Sequence, residues 1–257
     1  MGYQTVRKFL IGILLSLYAQ ASFGQSESTI DWNSETWWGL MTSTRIARHW
    51  SIYADLHYSH QLFVAPRAGI TFHPKGDNFV TTVAYAYLGL TAPFSDGKLV
   101  RPEHRPWMQI VYRIPSAKRL SASFRFKYDM RFIRDLLPDQ LADTYSLNHR
   151  WRFNNALRYR INPGNAKTIF NALMINEALI TTGPGPNGVP YEHRTHLMGE
   201  AGMGKYVLAL GGMVRYLGET PNGIRMTFGP VIWLTMNLNF SKFSTPKIID
   251  NPEDHTE

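Results

Sequence analysis

From residue 119 to residue 132 the chain alternates without a break. The even positions are Leu120, Ala122, Phe124, Phe126, Tyr128, Met130 and Phe132, and the odd positions are Arg119, Ser121, Ser123, Arg125, Lys127, Asp129 and Arg131. A period of two places the two sets on opposite faces of a β-strand. Strands of soluble domains average about 5–6 residues, whereas a tilted strand crossing a bilayer needs roughly 9–11. One apolar face against acyl chains and one charged face against an enclosed lumen is the pattern of a transmembrane barrel strand.

The same alternation recurs along the chain. Strands are expected over 37–46, 50–60, 65–73, 79–88, 107–114, 120–132, 146–161, 168–180, 195–203, 207–216 and 225–240. Segment 168–180 is the weakest of these: its run from Ile169 to Ile175 is apolar without alternation, so a buried helix is the competing reading. Tight connections (Ala47-Arg48-His49, Asn162-Pro163-Gly164-Asn165, Gly204-Lys205) take turns with longer ones (91–106, 133–145, 183–194), as periplasmic turns and extracellular loops do. Eleven segments are an odd count where bacterial barrels are normally even. A short extra strand within 27–33, turning back at Asn33-Ser34, would bring the number to twelve. The expected fold is therefore all-β: an antiparallel transmembrane β-barrel of about twelve strands, with ten as the alternative. No composition shift divides residues 25–240, which read as one domain. Pro230, inside the last strand, cannot donate to a ladder and predicts a bulge.

The flanks are not barrel. Arg7 and Lys8, the apolar run 9–19 and the small residues before Gln25 make residues 1–24 a secretory signal peptide, too short for a spanning helix. Residues 241–257 form a polar tail, expected in the periplasm. The last strand, apolar at alternate positions and ending at Phe240, resembles the C-terminal signal read by the outer-membrane barrel assembly machinery. The chain has no cysteine, which excludes a lipid-anchored lipoprotein, a disulfide framework and thiolate metal sites. Hydrophobic residues make up 44% of the chain with no run long enough for a membrane helix, and alternation reconciles the two facts. Formal net charge is +8, but the basic residues are interleaved with apolar ones, which argues against a nucleic-acid partner and for an electropositive interior.

Three segments carry a family resemblance: Arg101-Pro102-Glu103-His104-Arg105-Pro106-Trp107-Met108-Gln109, the stretch from Trp50 to Tyr58, and the arginine-rich strand from Trp151 to Arg160. They resemble a family of Gram-negative outer-membrane proteins known as a domain of unknown function. The resemblance covers nearly all of 36–240. It implies an outer-membrane β-barrel and carries no catalytic residues with it.

Strand phase assigns candidate chemistry. Pointing inward are Arg45, Arg67, Arg113, Arg125, Lys127, Arg131, Arg150, Arg152, Arg158, Arg160 and Arg215, against the acids Asp55, Asp129, Glu177 and Glu200. Such a lumen is either an anion-attracting pore or a packed interior of paired charges, and bulky arginines in about twelve strands favour the narrow or plugged form. Asp55, His57 and Ser59 share one strand face and are similar to the serine, histidine and acid of outer-membrane lipid A deacylases. Same-face neighbours stand roughly 6.5–7 Å apart, however, which is too far for direct relay without favourable rotamers. His193, His196 and Glu192 are the best local metal cluster, yet they lack ligand spacing, and no cofactor or metal is expected. Trp37, Trp38, Trp50, Tyr87, Trp107, Tyr112 and Tyr159 predict aromatic girdles at the headgroup level. Arg101, Pro102, Glu103, His104, Arg105, Pro106 and Trp107 are expected in a folded extracellular loop.

These features add up to a non-enzymatic outer-membrane barrel, structural or a narrow passive pore that prefers anions. A lipid-modifying hydrolase using Ser59 and His57 is one alternative. A surface scaffold whose loops bind a partner or polysaccharide is the other. The expected partners are membrane lipid, the assembly machinery and an anionic solute.

Overall fold

Strands that are apolar on one side and charged on the other can satisfy every backbone amide and hide their charges only by closing on themselves. The computed structural model describes residues 29–60, 62–74, 78–91, 99–117, 119–162, 167–184, 191–220 and 223–240. Its elements are β1 (Thr29–Ser34), β2 (Trp37–Ala47), β3 (Trp50–Ser59), β4 (Phe63–Phe72), β5 (Phe79–Thr91), β6 (Val100–Ala117), β7 (Leu120–Leu136), β8 (Leu141–Arg160), β9 (Thr168–Thr182), β10 (Tyr191–Met203), β11 (Tyr206–Thr220) and β12 (Gly223–Asn239). From β2 to β12 each strand pairs antiparallel with the next, and β12 returns to β2 in parallel. Twelve strands therefore form a closed barrel of eleven staves plus one short strand.

The short strand lies where an extra one is expected, but it does not turn back at Asn33-Ser34. β1 pairs with β12 from Thr29↔Gly223 to Ser34↔Phe228, and β2 takes over from Val231↔Trp37 to Asn239↔Arg45, both parallel. β1 and β2 are thus two halves of one stave, interrupted at Glu35-Thr36. An odd number of alternating staves leaves the first and last pointing the same way, so only a parallel seam can close the wall. The interruption is built into β12. A Cβ added at Gly229 would lie 1.6 Å from the Glu35 carbonyl oxygen, while the Glu35 amide donates to the Phe228 carbonyl at 3.0 Å. Pro230, with no N–H to offer, falls in the same gap. The bulge expected at Pro230 is absent from the β11–β12 ladder, where Gly212↔Pro230 is in continuous register and the shift comes instead between Gly218 and Thr220.

The staves are tilted, as closure requires. Following opposed residues from Arg45 through Ser51, Thr71, Thr82, Gln109, Lys127, Arg152, Leu179, Glu192, Leu217 and Arg225 leads back to Asp31, further up the stave it started from.

Alternation sorts the side chains as the pattern predicts. Facing outward and exposed are Leu40, Ile52, Leu56, Ile70, Val83, Ile110, Phe126, Phe153, Leu197, Val214, Phe228 and many similar residues. The interior is enclosed and mixed. Beside its charges it holds an apolar cluster of Trp37, Met41, Leu173, Ile175, Met213 and Trp233, and a second of Tyr53, Leu88, Trp107 and several alanines, with Phe63 packed against both. The doubtful segment is strand β9, not a helix. Its run reads as apolar because Leu173, Ile175 and Leu179 fill the interior while Met174, Ala178 and Ile180 face out. Trp37 and Trp107, expected in the girdles, are inside; Trp38, Trp50, Tyr87, Tyr112 and Tyr159 are outside.

The loops are shorter than expected because the strands are longer. Arg101–Trp107 lies within β6, and most of 133–145 belongs to β7 and β8. The prolines that suggested a loop fit a strand because Pro102 and Pro106 face outward and the β6–β7 ladder skips residues 105 and 106. The leader (1–24) and the tail (241–257) lie outside the described residues.

Two outcomes follow. Phe126→Arg is expected to cost about 2–4 kcal/mol in lipid bilayers and Phe126→Leu under about 1.5 kcal/mol, measured by urea titration of the barrel folded into vesicles. Gly229→Ala, which drives a methyl into the seam, is expected to cost at least about 1–3 kcal/mol. Gly212→Ala, whose added Cβ has nothing nearer than 3.8 Å, should leave the transition within error.

Candidate functional site: the charged interior

Every basic and acidic residue that strand phase turns inward is on the inner face, and the structure adds Glu35, Arg101, Glu103, Arg105, Glu192 and Arg194. All six fall outside the strand boundaries expected from the pattern: Arg101, Glu103 and Arg105 are expected in a loop, and Glu192 in a cluster with His193 and His196. Arg101, Glu103 and Arg105 occupy alternate positions, and so do Glu192 and Arg194. Extending each strand by its own period would have found them.

The charges form a continuous chain across the wall. At the seam, Arg215 donates to Glu35 at 3.0 Å and to Glu192 at 2.6 Å. Glu192 also accepts from Arg194 at 2.6 Å, and Arg194 lies 3.8 Å from Glu177. Glu177 is fully buried on β9 and accepts from Arg152 at 3.0 Å and from Arg125. Arg152 stands 3.8 Å from Asp129, and Lys127 stands 3.5 Å from the same carboxylate. The Lys127 ammonium sits 4.0 Å over the Trp107 ring. The path thus runs from the broken stave across β12 to β11, and from there strand by strand to β6.

Smaller groups complete the interior. Glu103 takes both donors of Arg131 (2.7 and 2.9 Å) and one from Arg105 at 2.8 Å. Asp55 is clamped by Arg67 at 2.6 and 2.5 Å. Glu200 is held by Arg158 at 2.6 and 3.1 Å. Arg45 donates to the Arg48 carbonyl, and Arg150 donates to Thr181. Arg113 and Arg160 sit at the rim of the tight turns, away from the chain of charges. Bidentate clamps of this kind are the geometry that compensates a buried carboxylate.

The hydrolase constellation does not assemble. Asp55 gives both oxygens to Arg67, its distance to the His57 ring is 3.7 Å, and Ser59 Oγ has no hydrogen-bond partner among the described residues. All three face the interior, away from the surface that would meet acyl chains. His193 and His196 lie three residues apart on a strand and so point to opposite faces; among the described residues no group of three or more potential metal ligands converges.

Tyrosine–histidine pairs make a further set on the outer face. Outward at the rim of the longer connections, Tyr58 pairs with His60 at 3.0 Å, Tyr128 with His149 at 2.6 Å and Tyr191 with His193 at 3.1 Å, while Tyr85 bonds to His104. They form a collar of outward amphipathic rings. Tyr-x-His at 58–60 and 191–193 was the available signal, since a spacing of two keeps both rings on one face.

No curated protein matches the chain. Among solved structures it is similar to a "Bacterial polysaccharide outer membrane secretin", with a TM-score of 0.46 and 11% identity over 72% of this chain; it spans only 62% of that chain's length. A family model matches residues 34–203, from the end of β1 through β10, and carries with it the Arg101–Trp107 strand and the arginine-rich β8. The chain belongs to that family, DUF2490, described as a protein of unknown function.

Proposed function

We propose that this protein is a non-enzymatic barrel of the outer membrane whose lumen is sealed by its own side chains. The observation that carries this reading is the interior: Glu103, Asp129 and Glu177 are wholly inaccessible, and Lys127, Arg152 and Arg125 nearly so, each joined to an opposite charge. Across the same cross-section, Trp37, Trp233, Ile175 and Leu179 fill what the ions leave. The outward apolar face supports a bilayer location. A leader at 1–24 would deliver the chain across the inner membrane, and the strand ending at Phe240, whose amide still bonds to Arg45, would present it to the assembly machinery.

A second reading is favoured by the charge balance. Inward basic residues outnumber inward acids, so a conducting form would prefer anions. On this reading the ion pairs act as a gate and an anionic solute is the cargo.

Planar-bilayer recording separates the two. The sealed barrel gives no steady conductance at moderate voltage. A stable open level whose reversal potential in a salt gradient has the anion sign would replace it with the pore. The network also predicts a hierarchy of stability. Glu177→Gln removes the counter-charge of Arg125, Arg152 and Arg194 and should cost about 3–5 kcal/mol. Arg160→Gln, at the rim, should stay within about 0.5 kcal/mol. Both are read as urea midpoints in vesicles.

A further inference from the structure

Two asparagines interrupt the outward apolar surface at mid-depth. On β8 the outward residues run Trp151, Phe153, Asn155, Leu157, Tyr159, so Asn155 sits between apolar neighbours with a girdle ring beyond each. On β9 they run Phe170, Ala172, Met174, Asn176, Ala178, Ile180. The two asparagines are directly opposed across the ladder, and Thr195 follows Asn176 on β10. The Asn176 amide donates to Thr195 Oγ1 at a long 3.5 Å, and the Asn155 amide has no hydrogen-bond partner among the described residues. A primary amide in hydrocarbon carries two donors and an acceptor that no acyl chain can satisfy. Lipid carbonyls and phosphates lie at headgroup depth, above or below this row. What brings polar groups to mid-depth is another protein wall.

We infer that the β8–β9 face is an interface with a second copy of this chain. The amide is self-complementary, and a two-fold axis between β8 and β9 sets Asn155 of each copy against Asn176 of the other, closing reciprocal donor and acceptor pairs in an isologous contact. The surrounding relief fits the same symmetry. On one side of the row lies a shallow apolar groove lined by Ile110, Tyr112, Phe124 and Phe126. On the other side Leu197 projects, 62% exposed. The two-fold axis seats each Leu197 toward the other copy's groove.

This inference rests on the membrane reading above, and its test keeps the two apart. The chain has no cysteine, so an introduced thiol is unique. Full-length Asn155→Cys and Asn176→Cys proteins are co-expressed, membranes are isolated, and the thiols are oxidised. The expected result is a band of twice the chain mass that approaches about half of the material, the share of mixed dimers that random pairing allows, the two sulfurs being within disulfide reach. Ile70→Cys, exposed on the β4 wall, should give at least tenfold less. Asn155→Leu with Asn176→Leu, both compatible with lipid, should shift the native mass to monomer while the barrel keeps its heat-modifiable mobility. Absence of the double-mass band, equal yield from Ile70→Cys, a cross-link to a protein of another mass, or a dimer that survives the leucine pair would each overturn the inference. Recovery of the chain in the soluble fraction would overturn the membrane reading itself.

Discussion

The structure depends on a single closure: β12 must pair with β2 in the parallel sense. Without that seam, two strand edges would leave their amides and carbonyls unpaired in an outer wall that is otherwise apolar. Parallel pairing is slightly weaker per residue than antiparallel, and here its ladder is further broken at Glu35-Thr36. Contacts outside the ladder hold the break together. Glu35 reaches inward to Arg215, the Trp37 indole donates to the Glu35 carboxylate at 2.9 Å, and Gly229 makes room for the Glu35 carbonyl.

Through Arg215 the seam is tied to the interior. The chain of ions from Glu35 to Lys127 reaches six staves and anchors the weakest joint to the strongest part of the wall, where β7 and β8 pair over most of their length. Buried ion pairs seldom add net stability over apolar packing, because desolvation consumes most of the Coulomb gain. What they add here is register. Each carboxylate meets its guanidinium only if the strands carrying them are aligned as observed, and a slip of one residue would turn the charges of the slipped strand to the outer face. The apolar clusters around Trp37 and Trp107 fill the remaining volume.

Much of this was legible in the residues. Period two set the faces, and with them the inward position of the eleven basic and four acidic residues within its strands, from Arg45 to Arg215. It failed at strand ends. Arg101–Trp107 looked like a loop because three prolines lie between 93 and 106, although a proline can sit in a strand wherever its missing N–H meets a gap in the ladder. Trp37 and Trp38 are adjacent and similar, so composition alone could not say which faced inward. The parallel seam was out of reach for a different reason: pairing between the first and last strands leaves no local trace. The odd count of segments was the clue, and it reads as an anomaly only if every barrel is assumed to close antiparallel.

That odd count has an evolutionary corollary. Barrels enlarge or shrink most simply by gaining or losing a hairpin, which changes the tally by two and never alters its parity. A lineage that begins with a co-directional join therefore keeps it through any series of such events. Only the gain or loss of a lone strand could restore an even wall, and that would carry one terminus to the opposite end of the barrel.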